Sequence, residues 1–213
     1  MTKNIERGKD TTSVELMKSV IDVPESLQVL NFSGQEFSKQ DLQSVIELYK
    51  TAFAEPPWNE SWSTEAILGD LEMAQSQSNF IMVVAKVEGS VVGFAWGYDV
   101  PMEKFPFLNA AVPSILNCSY MDEIAVDSAF RNKGVGRKLV DGYAQLVSSK
   151  PGYEARKALR IDEVALGVVL RTDVNNVASM KLFCREGFAP VKDAEGCEMM
   201  DPEYPTRIYL WRT

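Results

Sequence analysis

Histidine is absent from the 213-residue chain. Its absence removes serine–histidine and cysteine–histidine nucleophilic catalysis, and every histidine-based metal site, in one step. A carboxylate, a tyrosine or water is left as the candidate base. Cysteine is scarce: Cys118, Cys184 and Cys197 are odd in number, widely spaced and without a C-x-x-C pair. Such a pattern suggests neither a disulfide framework nor a zinc site and reads as three reduced thiols with no metal. Long apolar runs are missing too. None nears the roughly 18 residues of a membrane span, and the polar residues 1–10 lack the apolar stretch of a signal peptide, so a cytoplasmic protein without a membrane partner is the default expectation. Basic residues are in deficit, 22 Lys and Arg against 30 Asp and Glu, for a net charge of -8. Nucleic-acid binding needs a basic surface, so nucleic acid is not the expected partner. The acidity suits a cationic substrate, and it serves equally to keep a protein soluble.

What is present resembles one folded domain. Apolar residues make up 46% and charged residues 24%, close to globular averages, and the length suits a single sizeable core. Residues 1–24 read as an N-terminal extension with a short helix: Thr12 and Glu15 fit a capping box, Val14, Met17 and Ile21 share one face, and Pro24 ends it. A strand over 27–32 precedes a Ser38-capped helix whose stripe is Leu42, Val45, Ile46, Leu48 and Tyr49. Glu55-Pro56-Pro57 breaks that helix. A second helix over 63–75 places Ala66, Ile67, Leu71 and Ala74 on one side. Residues 80–87 and 91–98 form a β-hairpin around Glu88-Gly89-Ser90. Residues 99–117, with three prolines, read as a long connection or a short helix that binds something or covers a homodimer surface.

Downstream, a strand over 119–126 leads into a helix over 134–149 bearing Val135, Leu139, Tyr143, Leu146 and Val147, stopped by Pro151-Gly152. Residues 164–170 are almost uniformly apolar, as in a strand covered on both faces, and should be central. A helix over 176–186 ends at Gly187, and 206–211 alternate like a final strand. The order predicts an α/β (mixed α+β) fold over residues 25–213, a mixed sheet with helices on its faces.

Between the strand at 119–126 and its helix lies Arg131-Asn132-Lys133-Gly134-Val135-Gly136-Arg137. Two glycines permit a sharp turn and close backbone approach, and the first amides of the new helix have no intrahelical acceptor, so the segment suits an anion such as a pyrophosphate. The dinucleotide pattern G-x-G-x-x-G would need glycine at Leu139, and G-x-x-x-x-G-K-[ST] has no match. The remaining pattern, R-x-x-G-x-G at a helix start after a strand, resembles the acyl-CoA signature of the GNAT superfamily of N-acyltransferases. Asn176-Val177-Ala178-Ser179-Met180-Lys181-Leu182-Phe183, followed by Glu186-Gly187-Phe188, resembles the second signature of that family, N-x-x-[AS]-x-x-L-[YF] and then a G-F pair. The similarity spans roughly residues 28–211 and is best over 121–188.

The resemblance implies a central, mostly antiparallel mixed sheet with helices on both faces and a splayed strand pair holding acyl-CoA. It implies acetyl-CoA as cosubstrate, a small-molecule amine as acceptor, and direct transfer without an enzyme nucleophile or a metal. Backbone at Ile124, Ala125 and Val126 would pair with the pantetheine arm. Arg131, Asn132, Lys133, Gly134, Val135, Gly136 and Arg137 would hold the pyrophosphate, and Asn176, besides capping its helix, would approach the CoA arm. Phe183 stands where many relatives carry a tyrosine that protonates the departing thiolate. Phenylalanine cannot do so; Tyr120, Tyr143, Cys184, the released amine proton or water remain as substitutes. Trp58 and Trp62 in residues 55–62, and Phe105 in the long connection, are candidates for the acceptor wall, and equally for packing. A protein or peptide acetyltransferase and a non-catalytic acyl-CoA-binding protein are the competing readings.

Freeing an alkyl amine of pKa about 10.4 at pH 7 costs about 4 to 5 kcal/mol, so a base is useful. Asp122 and Glu123 are the candidates, and strand alternation predicts that only one faces the cleft, with Glu123 preferred. Its ordinary pKa of about 4.3 suits the task only if burial raises it or a water relays the proton.

Overall fold

The computed structural model of the protein describes residues 23–32, 38–101, 103, 105–111, 118–150 and 167–213. The expected N-terminal helix, the Pro151-Gly152 stop and residues 164–166 of the expected central strand lie outside these segments.

Seven strands form one sheet: β1 (Gln28–Asn31), β2 (Ile81–Val87), β3 (Ser90–Asp99), β4 (Ser119–Val126), β5 (Val168–Asp173), β6 (Ala189–Pro190) and β7 (Arg207–Arg212), in the order β1-β2-β3-β4-β5-β7-β6. Neighbours are antiparallel except β4 and β5, which are parallel. Helices α1 (Lys39–Ala54), α2 (Thr64–Ser76) and the short α3 (Pro106–Ala111) lie over one face, and α4 (Val135–Ser148) and α5 (Val177–Arg185) over the other. A mixed sheet with helices on its faces is the architecture expected from the order of elements, and its mostly antiparallel pairing is what the family resemblance implies.

Local chemistry explains where the helices begin. Ser38 Oγ accepts from Asp41 N at 3.0 Å, Ser63 Oγ from Ala66 N at 3.1 Å and Asn176 Oδ1 from Ser179 N at 3.1 Å, each satisfying an otherwise orphaned helix amide. In α1, Val45, Ile46, Leu48 and Tyr49 are buried and Leu42 only partly so. On α2, Ile67, Leu71 and Ala74 are buried while Ala66 faces outward, so its stripe is narrower than the spacing suggested. Asp41 adds a polar tie, pairing with Lys86 Nζ at 2.6 Å and pinning α1 to the end of β2.

β5 differs from its expected frame. It runs to Asp173 rather than ending at Leu170, because Arg171 and Thr172 turn polar where the strand leaves β4 and borders a cleft. β6 was not anticipated; two residues, one of them proline, carry no alternation to read. Alternation otherwise sorts the side chains. Phe94, Trp96, Tyr98, Tyr120 and Tyr209 join the core under α1 to α3, and Ala95, Met121, Leu170 and Leu210 join the core under α4 and α5.

Candidate active site

The two central strands part company almost at once. β4 and β5 pair only as Ser119↔Val168, Tyr120↔Val169 and Met121↔Leu170, after which β5 continues against β7 alone. A cleft of about 1000 Å³ opens in the gap and is lined from both faces of the sheet.

A bulge in β4 determines which side chains enter it. Trp96 stands opposite Glu123 and Gly97 opposite Met121, so Asp122 is an extra residue on β4. Such an insertion breaks the period of two. The expectation that only one carboxylate faces the cleft is therefore corrected: both line it, on the α1/α2 side. Tyr98 Oη donates to Asp122 Oδ2 at 2.8 Å and Tyr49 Oη to Glu123 Oε1 at 3.4 Å. A Cβ at position 97 would lie 1.9 Å from Tyr120 O and 2.3 Å from Tyr143 Oη, so glycine alone lets β3 close against the bulged strand.

Burial, reinforced by the negative charges of Asp122, Asp70 and Glu60, holds the Glu123 carboxyl well above its ordinary pKa of 4.5; the Tyr49 hydrogen bond opposes this weakly. Burial and the neighbouring carboxylates also push the Tyr49 and Tyr98 phenols up, keeping both as donors. Glu60 and Asp70, which sequence reasoning did not single out, line the same end of the cleft. Asp70 had a legible signal: it lies three residues after Ile67 and four before Ala74, beside the buried stripe of α2.

On the α4/α5 side the glycine turn has the form of an anion cradle. Asp127 caps a 3₁₀ turn over Ser128–Phe130, accepting from Ala129 N at 2.8 Å. Asn132 has φ 61° and Gly134 φ 76°, the left-handed region that glycine enters without steric cost. Gly134 is the N-cap of α4 and supplies no side-chain hydrogen bond, whereas Ser38, Ser63 and Asn176 cap α1, α2 and α5. The first bond of α4 runs from Lys138 N to Gly134 O at 3.1 Å, leaving the amides of Val135, Gly136 and Arg137 without an intrahelical acceptor. A pyrophosphate fits such a turn.

The expected residues divide as follows. Ile124, Ala125, Val126, Arg131, Asn132, Gly134, Gly136, Arg137, Asn176 and Phe183 line the cleft, as do Trp58 and Trp62. Arg131 donates Nε to Val126 O at 3.2 Å and pairs with Glu55 across the cleft. Lys133 does not line it; its Nζ lies 5.1 Å from the Phe130 ring centroid. The Val135 side chain is core, and only its backbone belongs to the turn. Phe105 is a correction: it is 5% exposed, packs 4.8 Å from Tyr120 and 6.0 Å from Tyr209, and sits behind the wall rather than in it. The substitute acids thin out similarly. Tyr143 is buried against Ser119 Oγ at 2.8 Å, and Cys184 is exposed away from the cleft. Tyr120 borders the cleft, and burial raises its phenol well above 10. Cys118 is buried, its thiol pushed up to about 12.

Opposite the carboxylates stand Arg171, Tyr204 and Arg207, also missed from sequence. Arg207 Nη2 donates to Glu60 Oε1 at 3.2 Å, and its guanidinium lies 5.0 Å from the Trp58 ring centroid and 4.3 Å from that of Tyr204. Trp62 Nε1 donates to the other oxygen of Glu60 at 2.9 Å. Among the described residues no cluster of His, Cys, Asp or Glu could hold a metal, and no helix is long and apolar enough to cross a membrane.

A split parallel pair, a bulged carboxylate strand and an uncapped glycine turn define an acyltransferase-like cleft. Residues 42–188 match the family model described as acetyltransferase (GNAT) family, and the chain belongs to that family. Its fold is shared with a ribosomal-protein-alanine N-acetyltransferase from Brucella melitensis, 21% identical over 86% of this chain and 98% of that one, with a TM-score of 0.54. It is shared also with the PaiA N-acetyltransferase from Thermoplasma acidophilum in complex with coenzyme A (16%; 88% and 99%; TM-score 0.53). A third is YncA, a putative acetyltransferase from Salmonella typhimurium with its cofactor acetyl-CoA (18%; 88% and 94%; TM-score 0.54). No curated protein matches the chain in sequence.

Proposed function

We propose that the protein is an acetyl-CoA-dependent N-acetyltransferase acting on the primary amine of a small cationic acceptor. The observation that carries this reading is the bulge at Asp122, which puts two carboxylates side by side at the strand gap, with Glu60 and Asp70 close enough to raise the Glu123 pKa.

When bound, acetyl-CoA supplies a thioester whose carbonyl carbon bonds to the amine nitrogen as the C–S bond breaks and the sulfur takes a proton. The chain does the rest. The amides of Val135, Gly136 and Arg137 and the Arg131 guanidinium hold the pyrophosphate, and the edge of β4 at Ile124 to Val126, which β5 leaves uncovered, aligns the arm as an added strand would be. Holding both reactants in one cleft contributes up to about 7 to 11 kcal/mol through orientation. Asp122 and Asp70, which line the cleft, attract the ammonium form of the acceptor. Glu123, whose pKa is raised by burial and by its acidic neighbours, takes the ammonium proton, which a carboxylate of ordinary pKa does poorly. With phenylalanine at 183 no phenol stands at that point, and a thiol leaving group of pKa about 8.5 tolerates departure near neutral pH.

A thiol-release assay with acetyl-CoA against small diamines, aminoglycosides and peptides beginning with alanine tests the reading. Turnover is expected with the cationic small amines. Tight CoA binding without turnover on any of them would contradict it and favour a non-catalytic acyl-CoA-binding protein.

A further inference from the structure

Glu60 and Arg207 meet although they are 147 residues apart in sequence. They belong to the two banks of the cleft: Glu60 lies on the connection from α1, which packs over β3 and β4, to α2, and Arg207 opens β7, beyond β5. Both banks are held in place. On one, Glu60 N donates to Phe53 O at 2.8 Å, and the Trp62 ring packs 5.5 Å from that of Tyr49. On the other, buried Asp201 accepts from the amides of Glu203 and Tyr204, both at 2.9 Å, and from Tyr209 Oη at 2.9 Å, and it pairs with Arg171. Asp173 Oδ2 accepts from Thr206 Oγ1 at 2.6 Å.

Arg207 spans the space between these banks. Its guanidinium lies against the rings of Trp58 and Tyr204 and reaches one oxygen of Glu60, while Trp62 holds the other. Arginine suits the position because its planar fork stacks on rings and donates in its own plane at once, which lysine cannot do. Alternation places Arg207 on the same sheet face as Tyr209 and Trp211, the face that carries Asp122 and Glu123. The clasp therefore crosses the cleft on the acceptor side, and the glycine turn lies on the other.

We infer that Arg207 is a specificity-determining residue: clasped to Glu60, Trp58 and Tyr204, it admits amines at the end of a slim, unbranched chain and turns away branched amines and peptides. The inference rests on the amine-acetyltransferase reading of the cleft. A wide acceptor must displace the guanidinium, losing two ring contacts and a charge-assisted hydrogen bond before its nitrogen reaches Glu123.

Steady-state kinetics on a graded width series test this: 1,4-diaminobutane, an amine branched beside its nitrogen, and a peptide beginning with alanine. The wild-type protein is expected to prefer the slim diamine over the peptide at least 100-fold in kcat/KM. In Arg207→Ala that ratio should fall at least tenfold, mainly through a lower KM for the wide acceptors, and Arg207→Lys should lie between. Calorimetric CoA binding shows that each variant is folded; if Arg207→Ala fails there, Trp58→Ala carries the test with the same expected direction. A width ratio unchanged in a variant that still binds CoA overturns the inference and leaves the acetyltransferase reading intact, as does a wild-type protein equally active on the peptide. Turnover of no amine by the wild type overturns both.

Discussion

Glu123 is at odds with its surroundings. Burial and three neighbouring carboxylates raise its pKa, so the folded state holds a proton that the unfolded chain releases above about 4.5. Stability is then greatest below that value and declines as pH rises toward the folded pKa. Glu123→Gln should accordingly be more stable than the wild type in thermal melts at pH 7 to 8, with the difference vanishing near pH 4. Turnover by the same variant should fall about 10²- to 10⁴-fold, the usual contribution of a positioned base. Asp201 behaves in the opposite sense. Burial works against its ionised form, yet the hydrogen bonds from Arg171, Tyr209 and the amides of Glu203 and Tyr204 win, and its pKa is lowered. Its contribution is present above the unfolded value of 3.8 and lost as pH falls through the folded one. Asp201→Ala should cost about 3 kcal/mol in urea unfolding, as expected when one partner of a buried pair is removed.

Two elements carry the site, and each depends on one glycine. Gly97→Ala would drive a methyl into Tyr120 O and the Tyr143 hydroxyl, so β3 and β4 must separate at the bulge. A loss of about 3 kcal/mol is expected, together with a drop in turnover as Asp122 and Glu123 lose their shared direction. Gly134→Val places a β-branched residue at φ 76°, costing about 1 to 2 kcal/mol in backbone strain and crowding the amides that face the pyrophosphate. CoA affinity measured by calorimetry should fall at least tenfold. The extent of β4 and the glycine turn were legible in the sequence, since alternation and the R-x-x-G-x-G spacing are local. The bulge was not, because an extra residue leaves no mark until the partner strand is known: Asp122 is extra only relative to Trp96 and Gly97. Phe105 illustrates the same limit from the other side. An aromatic in a proline-rich connection looks available for binding, and only the packing of Phe105 against Tyr120 and Tyr209 shows it is committed to the core.

At the scale of the whole molecule the sheet separates two tasks. The α4/α5 face presents uncapped amides and the α1/α2 face presents carboxylates and aromatic rings, with the gap between β4 and β5 joining them. The first half of that arrangement was readable from two sequence signatures because the glycine turn and the helix starts lie in short contiguous segments. The other half, the proposed acceptor side, depends on pairs such as Glu60 with Arg207, brought together from distant parts of the chain, and no local pattern encodes them. In the proposed mechanism the two halves meet at Glu123. The most direct measurement is the pH dependence of kcat/KM for acetyl transfer to a small diamine, compared between the wild type and Glu123→Gln. The wild-type rate should rise along a limb whose apparent pKa lies well above the ordinary carboxylate value, and Glu123→Gln should lose both that limb and most of the rate. Superimposable profiles for the two proteins would contradict a base at Glu123.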